Sequence, residues 1–267
     1  MKVYYDGCIV DREEVSEVFE PGFLYGWGVF EAMRVYQGKI PLIEKRINRL
    51  IQSAQVIGLN PEEIDYKKAV LKMLSANNLN NAYVRITLYK RRKQTGTLIY
   101  VDSLGYYPAS LCGKGFSALI SSYKRDPESL NSKIKSLSRL ENQLAWNEAK
   151  NKNKGEALLF NRHGFLAGGS RSNVFLVKDS AVITPSLGCG AFNGITRAVV
   201  IELCKNKGIN FLEKKITKNE IFSAEEAFIT SSLLEVMPLI ECDGINISDG
   251  SEGGITRMIS SAYIQYL

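Results

Sequence analysis

Four short stretches carry side chains whose chemistry can be named. The first is "NSKIKSLSRLENQLA", where Lys135 precedes Ser138 and Glu141. Ser-x-x-Glu is the pattern of a capping box, so a helix is expected from about Arg139, with Leu140, Leu144 and Ala145 facing inward. Lys135 then lies in extended chain at the mouth of that helix. Loss of solvent there, or a neighbouring cation, would lower its pKa and free the amine as a nucleophile. The second stretch is "FNGITRAVVIELC". Asn193-Gly194 reads as a turn, and Thr196 as the cap of a helix with Val199, Val200 and Leu203 on its apolar face. The backbone amides of Ile195 and Thr196 at that helix start suit a phosphate. The third is "AFITSSLLEVMP", a strand ending in Ser231 and Ser232, whose hydroxyls and amides can hold anionic oxygens. The fourth is Arg49 in "KRINRL", whose planar donor fork fits phosphate. Each has a plainer alternative: a solvated charge, an ordinary capped helix, a polar turn.

The elements that must position these residues follow from periodicity. Residues 3–10 alternate as a strand, and "GVFEAMRVYQGKIPL" reads as two strands joined at Gln37-Gly38. The spacing of Ile43, Ile47, Leu50, Ile51 and Ala54 predicts an amphipathic helix ending near Gly58. "PEEIDYKKAVLKMLSANNL" predicts another, with Pro61 in its first turn. "AYVRITLYK" and "TLIYVDSLGY" are strands. Proline and glycines in "YYPASLCGKG" mark a linker, placed at 108–115 between a smaller domain, 1–107, and a larger one, 116–267, that carries Lys135. The second half reads as a strand (116–123), a helix (138–151), a strand hairpin (156–177), a short strand (181–184), a helix (196–206), a strand (209–216), a helix (218–222), a strand (226–230), a further hairpin, and a helix near 252–265. Strands and helices interleave without a strict βαβ order, so a two-domain mixed α and β fold is expected.

Composition narrows the chemistry. The 267 residues are 45% apolar and 23% charged, the mixture of a globular protein with a sizeable core. No apolar run is long enough to span a bilayer, and "MKVYYDGCIVDREE" lacks a signal-peptide core, so a cytoplasmic protein is expected. The net charge of +6 gathers at "YKRRK" (89–93) and is otherwise mixed with acids, which argues against nucleic acid as a partner. Five scattered cysteines form no CxxC pair, and the single histidine, His163, precedes a glycine at a turn. A zinc site is therefore not expected. Proton transfer falls to lysine or a carboxylate.

Taken in order, the stretches "LYGWGVFEAMRVYQGKIPLIEKRINRL", "AYVRITL", "IKSLSRLENQLA", "EALLFNRHGFLAGGSRSNVFLV", "ITPSLGCGAFNGITR" and "EEAFITSSLLEVMPL" resemble the class IV (fold-type IV) aminotransferases over nearly the whole chain. That family includes branched-chain and D-amino-acid aminotransferases and aminodeoxychorismate lyases. The resemblance implies a D-amino-acid-aminotransferase-like fold and pyridoxal 5'-phosphate as cofactor. It implies Lys135 as the Schiff-base lysine and general base, and Arg49, Ile195, Thr196, Ser231 and Ser232 as the phosphate cup. Phe30 and Glu31 would border the substrate, and Arg85 would face it. It also implies a small amino substrate and a homodimer with the cofactor between two domains.

One position departs from the family pattern. Gly168, in "GFLAGGSRSNVF", stands where the family carries a glutamate paired with the pyridine nitrogen. Three readings follow: Arg171 donates to an unprotonated ring nitrogen, an acid from elsewhere takes the glutamate's place, or catalysis is lost. The expected activity is that of 4-amino-4-deoxychorismate lyase, forming 4-aminobenzoate and pyruvate, because aromatisation helps drive an elimination that a weaker electron sink can support. A D-amino-acid or branched-chain aminotransferase is the alternative, and a catalytically degenerate member of the fold is a third.

Overall fold

A computed structural model describes residues 1–104 and 115–267. The chain divides into two compact units, Met1–Ser103 with Lys135–Ser138, and Leu104–Ile134 with Arg139–Leu267. Apart from Gly115, the linker expected at 108–115 lies outside the described residues. Lys135–Ser138, which the sequence places in the second domain, clusters with the first unit.

In the first unit, β1 (Lys2–Tyr5) and β2 (Cys8–Asp11) form a hairpin that breaks the single strand read over 3–10. Asp6 and Gly7 make the turn, both with positive φ. A one-turn helix, α1 (Pro21–Leu24), leads into a three-stranded antiparallel sheet of β3 (Gly28–Val35), β4 (Ala82–Lys90) and β5 (Thr95–Asp102). The second strand expected after Gln37-Gly38 is reduced to a Tyr36–Lys39 bridge. Between β3 and β4 run α2 (Ile43–Val56) and α3 (Tyr66–Ala76). The inward face of α2 includes Ile43, Leu50 and Ala54 as predicted, and also the polar Arg46 and Ser53. The start of α3 corrects the sequence reading. Asp65, not Pro61, opens it, because the Asp65 carboxylate accepts from the Lys68 amide (2.9 Å) and satisfies a first-turn donor.

The second unit holds a nine-stranded mixed sheet. Its strands are β6 (Phe116–Arg125), β7 (Glu156–Asn161), β8 (Leu166–Gly169), β9 (Asn173–Lys178), β10 (Ala181–Pro185), β11 (Phe211–Lys214), β12 (Glu226–Ser231), β13 (Glu235–Cys242) and β14 (Ile245–Asn246). Their spatial order is 11-10-9-12-13-6-7-8, with β14 on β13. β7 and β9 read as near-continuous apolar runs because they are buried along most of their length. Phe116, Leu158, Leu166, Val174 and Ile229 fill the main core. The helices are α4 (Leu130–Lys133), α5 (Leu140–Asn151), α6 (Ile195–Asn206), α7 (Lys218–Phe222) and α8 (Gly254–Tyr266). Ala145 and Ala149 let α5 pack closely on Leu119, Ala157 and Leu159.

Candidate active site

Lys135 is positioned by backbone pairing. The Phe30 amide donates to the Lys135 carbonyl (2.9 Å), and the Leu137 amide donates to the Gly28 carbonyl (2.9 Å). Val29 and Ser136 form an antiparallel bridge between them. Gly28 makes the approach possible, since a Cβ there would stand 2.6 Å from both Leu137 Cδ1 and the Leu88 carbonyl. Residues 135–138 thus lie along the free edge of β3, held by an isolated bridge. This overturns the expected capping box. Ser138 donates its hydroxyl to the Gly26 carbonyl (3.2 Å), and α5 begins at Leu140 with Arg139 as its N-cap.

Around this segment stands a charged cluster, all of it in the first unit. Glu31 is 1% exposed. Arg49 grips it with both prongs, Nε to Oε1 at 2.7 Å and Nη2 to Oε2 at 2.9 Å. Arg46 is 3% exposed, one turn earlier on the same helix. Burial alone would raise the Glu31 carboxyl, but the charges of Lys135, Arg49 and Arg46 outweigh it and hold it below the usual carboxylate range. The Lys135 ammonium is 5.4 Å from the Phe30 ring centre, and the Arg85 guanidinium lies 3.7 Å above the same ring. Phe30, Glu31, Arg49, Arg85 and Lys135 are therefore brought together.

A second group lies within the other unit. α6 begins with Gly194 as N-cap, so Thr196 is a buried residue of the first turn rather than the expected cap. A Cβ on Gly194 would stand 2.2 Å from Asn173 Oδ1, so the helix start rests on β9. Asn173 is the register partner of Thr230, which precedes Ser231. The Ser231 hydroxyl oxygen accepts from the amides of Leu233 (3.3 Å) and Leu234 (3.1 Å) and shapes the turn after β12. Thr230 is 1% exposed, and its hydroxyl has no hydrogen-bond partner among the described residues. An orphaned hydroxyl beside a helix N-terminus fits an anionic oxygen, and the residues present fit a phosphate-bearing cofactor.

The turn around Gly168 holds two residues that the sequence reading missed. Glu156, fully buried, accepts from the amides of Ala157, Ser170 and Arg171 and from the hydroxyls of Ser170 and Ser172. Its carboxylate is spent on folding the 170–172 turn. Arg125 donates to the Gly169 carbonyl (3.4 Å), and its Nη1 stands 3.9 Å from where a Gly168 Cβ would be. Burial pulls the Arg125 guanidinium down to about 10, against the opposing charges of Glu156 and Glu141. Arg171 Nη2 donates to Gln143 Oε1 (3.0 Å), and its guanidinium lies 4.3 Å over the Trp146 ring. Two glycines ahead of Ser-Arg-Ser were the available signal for the turn, since a Cβ at Gly169 would stand 2.2 Å from Ser172 Oγ. His163 sits in the turn after β7, as expected. Among the described residues no His, Cys, Asp or Glu cluster could hold a metal ion, and no helix is long and apolar enough to cross a membrane.

The sequence model of the family described as Amino-transferase class IV matches residues 28–242. The D-alanine aminotransferase of Bacillus licheniformis is 32% identical, over 98% of this chain and 95% of its own. The branched-chain aminotransferase of the archaeon Thermoproteus uzoniensis, solved with norvaline, superposes with a TM-score of 0.85 at 32% identity, covering 99% of this chain and 94% of its own. The Escherichia coli branched-chain aminotransferase gives a TM-score of 0.89 at 26% identity, covering 97% and 92%.

Proposed function

Because the chain belongs to the class IV aminotransferases, enzymes that use pyridoxal phosphate, we propose that it acts on a small amino substrate through the Lys135 amine. When bound, pyridoxal phosphate supplies an electron sink for the bond broken at the substrate. Lys135 anchors it, and its freed amine takes and returns the Cα proton. Arg49, the amides of Ile195 and Thr196, and the hydroxyls of Ser231 and Ser232 grip the phosphate. Phe30 and Glu31 border the substrate. Arg85, above Phe30, offers a cation to its carboxylate.

The preferred reaction is that of 4-amino-4-deoxychorismate lyase, giving 4-aminobenzoate and pyruvate. One observation carries this reading: position 168 offers no carboxylate, and the guanidinium beside it is that of Arg125. A guanidinium donates a hydrogen bond and leaves a ring nitrogen unprotonated, which weakens the sink. Elimination toward an aromatic product tolerates that weakness better than a reversible amino transfer. The second reading, an aminotransferase for D- or branched-chain amino acids, is favoured by Arg85 and by the relatives named above. Purified protein supplied with the cofactor is assayed for 4-aminobenzoate release beside amination of 2-oxo acids by glutamate or D-alanine. Release without amination supports the lyase, and amination alone refutes it. Absence of both across a broad amine panel would mark a degenerate member. Borohydride reduction and peptide mapping should place the cofactor on Lys135. A cytoplasmic homodimer is part of the same proposal, and light scattering tests the dimer.

A further inference from the structure

Helix α8 is tied to both elements that carry the proposed phosphate cup. Its start is fixed to β12, the strand that ends in Ser231. The Glu226 carboxylate accepts from the amides of Ile255 (2.9 Å) and Thr256 (2.7 Å) and from the Thr256 hydroxyl (2.7 Å), so it supplies the acceptor that the N-cap, Gly253, lacks. A Cβ on Gly253 would stand 1.9 Å from Glu226 Cδ, so only glycine allows this approach. Thr256, Ile259 and Tyr263 recur at helical spacing on the buried face of α8. Tyr263 reaches the other element, α6. Its hydroxyl oxygen stands 3.4 Å from Thr196 Oγ1, and both side chains are buried. A threonine hydroxyl carries one hydrogen. If Thr196 gives it to a phosphate oxygen, the contact with Tyr263 is kept only with the phenol as donor. A phenol is the more acidic hydroxyl and suits that direction, and a hydroxyl that accepts one bond donates the next more strongly. The separation is loose for a pair of hydroxyls and leaves room to shorten when an anion draws on Thr196. We infer that Tyr263 is a positioning residue of the phosphate cup. Its hydroxyl donates to Thr196 and turns the Thr196 hydrogen toward the phosphate.

This inference rests on the proposal that Thr196 grips the phosphate, and its test separates the two. The probes are pyridoxal phosphate and pyridoxal, each bound to the full chain and measured by equilibrium dialysis. Tyr263→Phe keeps the ring and removes the hydroxyl. Affinity for pyridoxal phosphate should fall about fivefold, the share of one neutral hydrogen bond, and affinity for pyridoxal, which has no phosphate, should not change. Added to Thr196→Val, Tyr263→Phe should have no further effect, because the phenol acts through Thr196. Tyr263→3-fluorotyrosine keeps the ring and strengthens the donor. It should tighten pyridoxal phosphate binding, which keeps the idea testable if Tyr263→Phe fails to fold. A merely structural tyrosine would weaken both ligands alike or add its loss to that of Thr196→Val, and either result overturns the inference. If Thr196→Val itself leaves pyridoxal phosphate affinity unaltered, the phosphate reading of Thr196 has failed and this one falls with it. A loss in Thr196→Val with none in Tyr263→Phe sinks only the role of Tyr263.

Discussion

Arg125 stands beside Gly168, with Nη1 3.9 Å from the point where a side chain at that position would begin. Among the described residues its guanidinium, not that of Arg171, is the one within 4 Å of that point. With nitrogen-15-labelled cofactor bound, the ring nitrogen should show the chemical shift of an unprotonated, hydrogen-bonded pyridine. Arg125→Ala should move it toward the free base, and Arg171→Ala should leave it unchanged. A protonated shift in the unaltered protein would refute this assignment.

Gly168 itself should resist replacement. Its φ of +146° belongs to a region that side-chain-bearing residues rarely adopt, and a Cβ would stand 3.2 Å from the Ser172 carbonyl. Gly168→Ala should cost about 1–3 kcal/mol in denaturant unfolding. Restoring a carboxylate by Gly168→Glu therefore carries that strain before any effect on the cofactor appears.

Removing Glu156 should be costly. Alanine there leaves the Arg171 amide and the Ser170 and Ser172 hydroxyls without this acceptor, at about 3 kcal/mol or more. Glu156→Gln keeps one acceptor oxygen and should cost less. Chemical denaturation of the pair gives the comparison.

Thr230 should behave in opposite ways with and without cofactor. Thr230→Val removes a buried hydroxyl that has no partner among the described residues, so the cofactor-free protein should be unchanged or up to about 1 kcal/mol more stable. Cofactor affinity should fall about tenfold if the hydroxyl meets an anionic oxygen, a change of about 1.4 kcal/mol. Equilibrium dialysis and thermal unfolding read the two arms. An unaltered affinity places the hydroxyl outside the site.

Acid should weaken the first unit through Glu31. Its folded carboxyl titrates lower than in the unfolded chain, so its stabilising contribution is complete above the ordinary carboxylate pKa. The contribution is lost as pH falls through the lower, folded value. Urea unfolding of cofactor-free protein between about pH 3 and pH 7 should show a slope that Glu31→Gln flattens.

Much of this was legible in the residues, and most of the exceptions are contacts between segments distant in the chain. β4, α2, α7 and β12 follow directly from their periodicity, and the Lys135 stretch was visible as extended chain before a helix. Its pairing with β3 was not, because the Phe30–Lys135 contact spans about a hundred residues and no local pattern records it. Glu156 opens an apolar strand and Arg125 lies just past the strand expected over 116–123, so neither position carries a local signal. Only the packing of the Gly168-Gly169 turn shows that both are committed to it. The start of α3 was misplaced for the opposite reason: proline is a permissive first-turn residue, whereas Asp65 makes an actual bond.

The placement of residues 135–138 bears on how the protein can be cut. The chain leaves its first compact unit at Ser103 and returns to it for only four residues before departing again. A fragment ending at Ser103 would expose the edge of β3 and would lack the proposed reactive lysine. Neither half is thus a self-sufficient module. Splitting the gene near that point should yield active protein only when both pieces are made together.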